Sequence, residues 1–184
     1  MISGTERVVS LRKVSRKVSV VVCATAYFAY YAWTPSDWHF IDTFNLLIHE
    51  AGHIIFSPFG ESLYILGGSL FQIVFPVLYI VYFAIKQQYF SASLLVFWVG
   101  QNIINVSVYA ADARVMQLSL LGGDSSTHDW NALLTMTNLL PYTDQIGFCL
   151  YIIGVFVILF ASTLSLYSAV QPDLVKTITS AAFE

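Results

Sequence analysis

The segment best suited to chemistry is His49-Glu50-Ala51-Gly52-His53, an HExxH motif. Histidines four residues apart project from one face of a helix, so two imidazoles can grip one Zn²⁺. The glutamate beside the first histidine then reaches the attacking water as general base. With four histidines in 184 residues, chance placement gives about 0.002 such motifs. The motif lies in an apolar stretch, where ionisable groups are costly unless paired or bound. A polar patch that merely ties helices together is the plainer reading. Three ionisable groups within five residues are expensive for that purpose, so zinc is the preferred reading.

Asp42, Asn45, His49 and His53 are spaced 3, 4 and 4 apart and form one helical stripe. Asp42 and Asn45 are candidates for orienting an imidazole. For Asp42, ordinary polarity at a helix N-terminus is the better reading. A second stripe comprises Asn102, Asn105, Tyr109 and Asp112, with Gln101 beside it. Buried amides at that depth should face the bundle interior. The two stripes are expected to enclose one polar cavity around the metal, with plain interhelical hydrogen bonding as the alternative. A catalytic zinc needs a third protein ligand and one open position. His39, next to Trp38, reads as an interfacial aromatic-belt residue. Asp112 stands at the end of its stripe. His128 and Asp129 open a short helix after a Gly/Ser loop, and adjacent residues point apart, so one of the two should bind. An N-cap role is the plain reading for Asp129, and a loop histidine for His128.

These residues need membrane elements to hold them. Hydrophobic residues make up 57% of the chain and charged residues 10%, against about 25% charged in soluble domains. A water-soluble globule lacks the polar surface to cover itself, and disorder requires the opposite composition. Five segments are expected to span or nearly span a bilayer: Val18–Trp33, Phe40–Phe59, Ser69–Ile85, Phe90–Ala111 and Ile146–Val170. The stretch Gly122–Ser126 reads as a loop, followed by a short helix over Asp129–Leu140. Trp33 and Trp38 bracket a polar link like interfacial anchors. Arg7, Arg12, Lys13, Arg16 and Lys17 precede the first run. They predict a cytoplasmic N-terminus facing anionic lipid. The cluster has no aromatic interleaving, so nucleic acid is not an expected partner. If the first four segments cross, Arg114 should also be cytoplasmic. Cys23 and Cys149 read as packing residues in apolar runs.

Apolar helices carrying His49-Glu50-Ala51-Gly52-His53, with a later Asp near a helix start, resemble the site-2 protease family of membrane zinc metalloproteases. His49, Glu50 and His53 match that family's first motif. Asp129, in His128-Asp129-Trp130-Asn131-Ala132-Leu133, is the best match to the Asp of its second, LDG, motif. His128 stands in place of the Leu and Trp130 in place of the Gly, so His128 stays open as a substitute ligand. Phe59–Gly68 resembles the family's short strand after the metal helix, where an unwound substrate would add as a strand. A simple interhelical turn is the equal alternative.

The expected fold is therefore an all-α polytopic transmembrane helix bundle, with about five membrane segments plus one short helix. It forms one domain over 1–184, with a basic N-terminus at 1–17, the bundle at 18–170 and a tail at 171–184. The expected activity is zinc-dependent peptide hydrolysis in the membrane. Its partners would be the lipid bilayer and a membrane-anchored protein substrate. Glu50 would be the catalytic base. His49, His53 and Asp129 or His128 would be ligands, and Asn102 or Asn105 the oxyanion or substrate donor. The alternatives are a zinc hydrolase of a lipid or other amide, and a non-enzymatic zinc-stabilised partner-binding module.

Overall fold

A computed structural model describes residues 4–118 and 128–181, with side chains described for 11–118 and 128–171. The Gly122–Ser126 loop lies outside the described residues. All the elements described are helical: α1 (Gly4–Trp33), α2 (Phe40–Phe56), α3 (Glu61–Ile85), α4 (Tyr89–Asp112), α5 (Asp129–Met136) and α6 (Thr143–Ala181). Two short 3-10 turns join them, at Ser57–Phe59 and Leu140–Tyr142.

Apolar side chains cover the outside of this bundle and amides fill its inside. Leu78, Val81 and Ile85 of α3 and Phe156, Leu159 and Phe160 of α6 are exposed, whereas Asn45, Gln72, Gln101 and Asn102 are buried. Water-soluble proteins show the reverse preference, and a bilayer demands this one. Three helical stretches are long and apolar enough to cross a membrane: Glu61–Ile85, Tyr89–Asp112 and Leu140–Gln171. Cys23 and Cys149 are exposed on the outer surface, not packed inside as expected. Val22 and Phe148 beside them are exposed too.

Side-chain contacts set the helix directions. Lys17 Nζ lies 5.2 Å over the Phe90 ring, Phe28 stacks on Phe97, and Asn105 Nδ2 donates to Tyr31 Oη. Helices α1 and α4 therefore run parallel. Gln72 bonds to Asn105 and Phe75 meets Trp98, so α3 runs antiparallel to α4. Tyr151 Oη donates to the Ala32 carbonyl, and Thr25 pairs with Ser162. These contacts make α6 antiparallel to α1. Residues Tyr31, Phe97, Ile104, Ile158 and Ala161 form the apolar core between α1, α4 and α6. Glycines let α4 and α6 touch. A Cβ on Gly154 would lie 2.5 Å from Ile104 and 2.8 Å from the Gly100 carbonyl, the close backbone approach typical of membrane helix pairs.

The expectation of five crossing segments is not confirmed. Helix α2 starts just after the end of α1 and finishes just before the start of α3. Both its ends lie in the half of the bundle away from Lys17. Its 17 residues span about 25 Å, short of a hydrocarbon core of about 30 Å. Its polar stripe is met by partners from α1, α3 and α4 inside that half. Arg114 lies at the end of the bundle opposite Lys17. It follows α4, whose 24 residues separate it by about 36 Å from the Lys17 end. There Arg114 lies 3.4 Å from Asp144, both of them exposed.

The strand expected over Phe59–Gly68 is absent. Gly60 turns the chain at φ +97°, and α3 begins at Glu61. Gly67 and Gly68, read as one end of the strand, serve helix contact instead. A Cβ on Gly52 would collide with the Gly67 carbonyl, and one on Gly67 would lie 2.7 Å from Phe56 Cβ. A substrate thus finds no strand edge here.

Candidate metal centre

Helix α2 presents its two histidines because Asp42 starts it. The Asp42 Oδ2 atom, three residues into the helix, accepts the His39 backbone N–H at 2.8 Å. His39 is therefore the buried N-cap of α2, not an interfacial belt residue. Two turns further on, His49 and His53 stack edge to face with centroids 4.9 Å apart, both buried. The Gly52–Gly67 contact brings α3 close enough that Gly68 faces both imidazoles. A Cβ on Gly68 would sit 2.5 Å from His49 Nε2 and 2.6 Å from His53 Nε2. That room between the two nitrogens exists because residue 68 has no side chain.

The third group comes from α5. Asp129 Oδ2 lies 3.0 Å from His49 Nε2 and 3.2 Å from His53 Nε2. The ligand atoms of all three lie within 4.8 Å of one another. Tetrahedral zinc with bonds of about 2.0–2.1 Å needs ligand atoms about 3.3 Å apart, so the donor set fits a small divalent cation. Several bonds hold Asp129 there. Tyr109 Oη donates to its Oδ2 at 3.3 Å and accepts its backbone N–H at 3.1 Å. Trp130 Nε1 donates to Ser69 Oγ on α3, and Asn131 Nδ2 donates to the Ala113 carbonyl at the end of α4. Burial alone would raise the Asp129 carboxyl. The hydrogen bonds to His49 and His53 outweigh it and hold the group at about 2.

A cavity of about 790 Å³ opens beside the three groups, and its wall includes Glu50, Glu61, Asn105 and Tyr109. Glu50 is exposed to it and makes no hydrogen bond among the described residues. Among the described residues, three groups that could ligate a metal lie beside an open cavity that the Glu50 carboxylate also lines. Catalytic metal sites share that plan, whereas structural ones are closed by four ligands.

The other expected residues are distributed as follows. His128 does not join the histidine pair. Its Nδ1 accepts the Asn131 N–H as the N-cap of α5, and its Nε2 lies 3.3 Å from Asp112 Oδ2. Asp112 also accepts the N–H groups of Gln117 and Leu118, so the pair ties the end of α4 to the start of α5. Asn45 bonds to Gln101 and Trp98. Asn102 donates to the Trp98 carbonyl within its own helix. The stripes of α2 and α4 thus meet, but only Asn105 and Tyr109 of the second stripe line the cavity. Nor does Asn105 remain free to donate to a substrate. Its Nδ2 already donates to Asp42 Oδ1 and Tyr31 Oη. For the expected oxyanion role, Asn102 does not line the cavity and both N–H groups of Asn105 already have partners.

Two participants were missed in the sequence. The Tyr64 carbonyl lies 2.8 Å from His53 Nδ1, and Gln72 Oε1 lies 3.3 Å from His49 Nδ1. A backbone carbonyl leaves no trace in a sequence. Gln72 did leave one, as a lone amide inside the apolar run Ser69–Ile85.

No protein-family model matches this chain, nor does any curated protein or solved structure. Among the described residues, the class is an all-helical protein with three helices long and apolar enough to cross a membrane and a three-residue cluster that could hold a metal.

Proposed function

We propose that this protein is a membrane-embedded zinc metalloprotease. The observation that carries the reading is the convergence of His49, His53 and Asp129 beside a cavity that Glu50 also lines. The resemblance of His49-Glu50-Ala51-Gly52-His53 and Asp129 to the site-2 protease family points the same way. His49 and His53 would hold zinc through Nε2, and Asp129 through Oδ2. When bound, zinc supplies a Lewis acid that activates water and polarises a carbonyl. Glu50 takes a proton from the attacking water and passes it to the departing peptide nitrogen, which leaves a carboxylate and an amine as products. Tyr109 keeps Asp129 in place through its two hydrogen bonds. The apolar surface around the bundle keeps the cavity within reach of membrane-anchored segments.

The proposed topology has four crossings, α1, α3, α4 and α6, with α2 and α5 packed in one half. The basic cluster before Val18 places the Lys17 end in the cytoplasm. The metal centre then opens toward the opposite face, and the end of α6 returns to the cytoplasmic side. A structural zinc module is the less favoured reading, because the described residues supply three ligand groups beside an open cavity. The test is hydrolysis of a membrane-anchored peptide by the reconstituted protein and by Glu50→Gln. Cleavage by the first and none by the second is expected. Lipid turnover without peptide cleavage would replace protease with lipid hydrolase.

A further inference from the structure

The formal charges of this bundle are sorted by end. Among the described side chains, every carboxylate from Asp37 to Asp144 lies in the half away from Lys17. Arg12, Lys13, Arg16, Lys17 and Lys86 lie at the opposite end. Arg114 alone of the described Lys and Arg residues sits with the carboxylates. A second cavity, of about 410 Å³, opens at the basic end between α1, the start of α4 and the end of α6. Lys17, Gln88, Ser91, Tyr167, Ser168 and Gln171 line it, and among the described residues no Asp or Glu does. Lys17 Nζ stands 5.2 Å over the Phe90 ring and makes no ion pair among the described residues. Gln171 Nε2 donates to Tyr167 Oη at 2.6 Å, so the tyrosine keeps its own proton to donate. One cation beside hydroxyl and amide donors, with no competing carboxylate, is the chemistry that receives a phosphate oxygen.

The depth of the cavity points to the source of that phosphate. The three membrane-competent stretches end at Ile85, begin at Tyr89 and end at Gln171. The cavity wall includes Gln87, Tyr89 and Gln171, so it sits where the apolar spans give way to polar residues. Lipid headgroups occupy that level. Tyr89 and Tyr167, both exposed, mark it as interfacial aromatic residues do. Leu164 also lines the cavity, two turns inward from Gln171, and gives an acyl chain an apolar wall to leave along. We propose that this cavity binds the phosphate headgroup of an anionic phospholipid. Lys17 Nζ supplies the countercharge, and the hydroxyls of Ser91, Tyr167 and Ser168 donate to the phosphate oxygens. A choline headgroup carries its own cation beside the phosphate and gains less from Lys17. The bound lipid bridges α1, α4 and α6. The site lies at the end of the bundle away from the metal centre and does not depend on it.

The experiment uses the full chain in non-ionic detergent, with phosphatidylglycerol or phosphatidylcholine of equal chain length added. Bound lipid is counted by native mass spectrometry, and the melting temperature is recorded with and without lipid. Added salt screens diffuse attraction to the basic end and weakens a partly buried contact much less. Wild type is expected to hold one phosphatidylglycerol per chain, preferred over phosphatidylcholine by about fivefold, the scale on which one Lys acts at an anionic surface. The anionic lipid should also raise the melting temperature. Lys17→Gln should abolish the preference and Lys17→Arg should keep it. Lys13→Gln removes the same charge outside the cavity and should leave the preference unchanged. Ser168→Leu fills the cavity without altering charge and should also lose the bound lipid. Lipid-free melting temperatures separate a lost site from a lost fold. Equal retention of both lipids by wild type, or equal effects of Lys13→Gln and Lys17→Gln, would overturn the proposal. Displacement of the lipid by inorganic phosphate would assign the cavity to a soluble anion and overturn it as well.

Discussion

Asp129 Oδ2 lies 3.0 Å from His49 Nε2, although eighty residues separate them. His128, one residue nearer in sequence, turns away to cap α5 and meet Asp112. The two neighbours thus divide the work. His128 holds the α4–α5 connection, and Asp129 completes the cluster. His128→Ala removes a helix cap and one partner of a buried carboxylate. It is expected to lower stability by about 1–3 kcal/mol, read as a lower melting temperature in detergent. Metal stoichiometry should stay at the wild-type value. Metal loss in a still-folded His128→Ala protein would make His128 a ligand.

Gly68 gives the most local test. Its missing Cβ is the space between the two Nε2 atoms. Gly68→Ala should weaken zinc binding by about tenfold or more, the scale on which loss of ligand support acts, while helix content stays unchanged. Equal affinity in both proteins would show that the metal lies elsewhere.

Glu50 has a different role. It lines the cavity outside the three-residue cluster. Glu50→Gln should keep one zinc per chain and lose about 10²–10⁴-fold in peptide cleavage. Metal analysis and a cleavage assay on the same preparation separate the two effects. Loss of zinc together with activity would move Glu50 from base to ligand.

The placement of the site predicts sidedness. Lys17 packs on Phe90 at the start of α4, and the cavity lies along the far half of that helix, by Asn105 and Tyr109. In sealed right-side-out vesicles, a chelator that cannot cross the membrane should inhibit as well as a permeant one. In inverted vesicles only the permeant chelator should act. The opposite pattern would place the metal centre on the cytoplasmic side.

The sequence carried the first half of the site plainly. Histidines at i and i+4 on a helix allow few other geometries, and the Asp42–His53 stripe followed from the same period. The third member of the cluster was not decidable, because His128 and Asp129 are adjacent and either type can bind metal. What decides between them is the need of α5 for a cap and of Asp112 for a partner, both of which are long-range facts. The apolar run Phe40–Phe59 reads as spanning or nearly spanning, because hydropathy does not record direction. Only the pairing of α3 with α4 reveals that α2 returns to the half it left. Gly60, Gly67 and Gly68 suggested a bounded strand, whereas one turns the chain and the others let α2 approach. Gln72 was legible as a buried amide but was overshadowed by the richer stripes around it.

The central claim is that His49, His53 and Asp129 together hold one zinc ion. Elemental analysis of the purified full chain, beside His49→Ala and Asp129→Ala, tests it most directly. One zinc per wild-type chain, with little or none in either variant, is the expected result. A wild-type chain that carries no zinc, or an Asp129→Ala chain that keeps it fully, would contradict the claim.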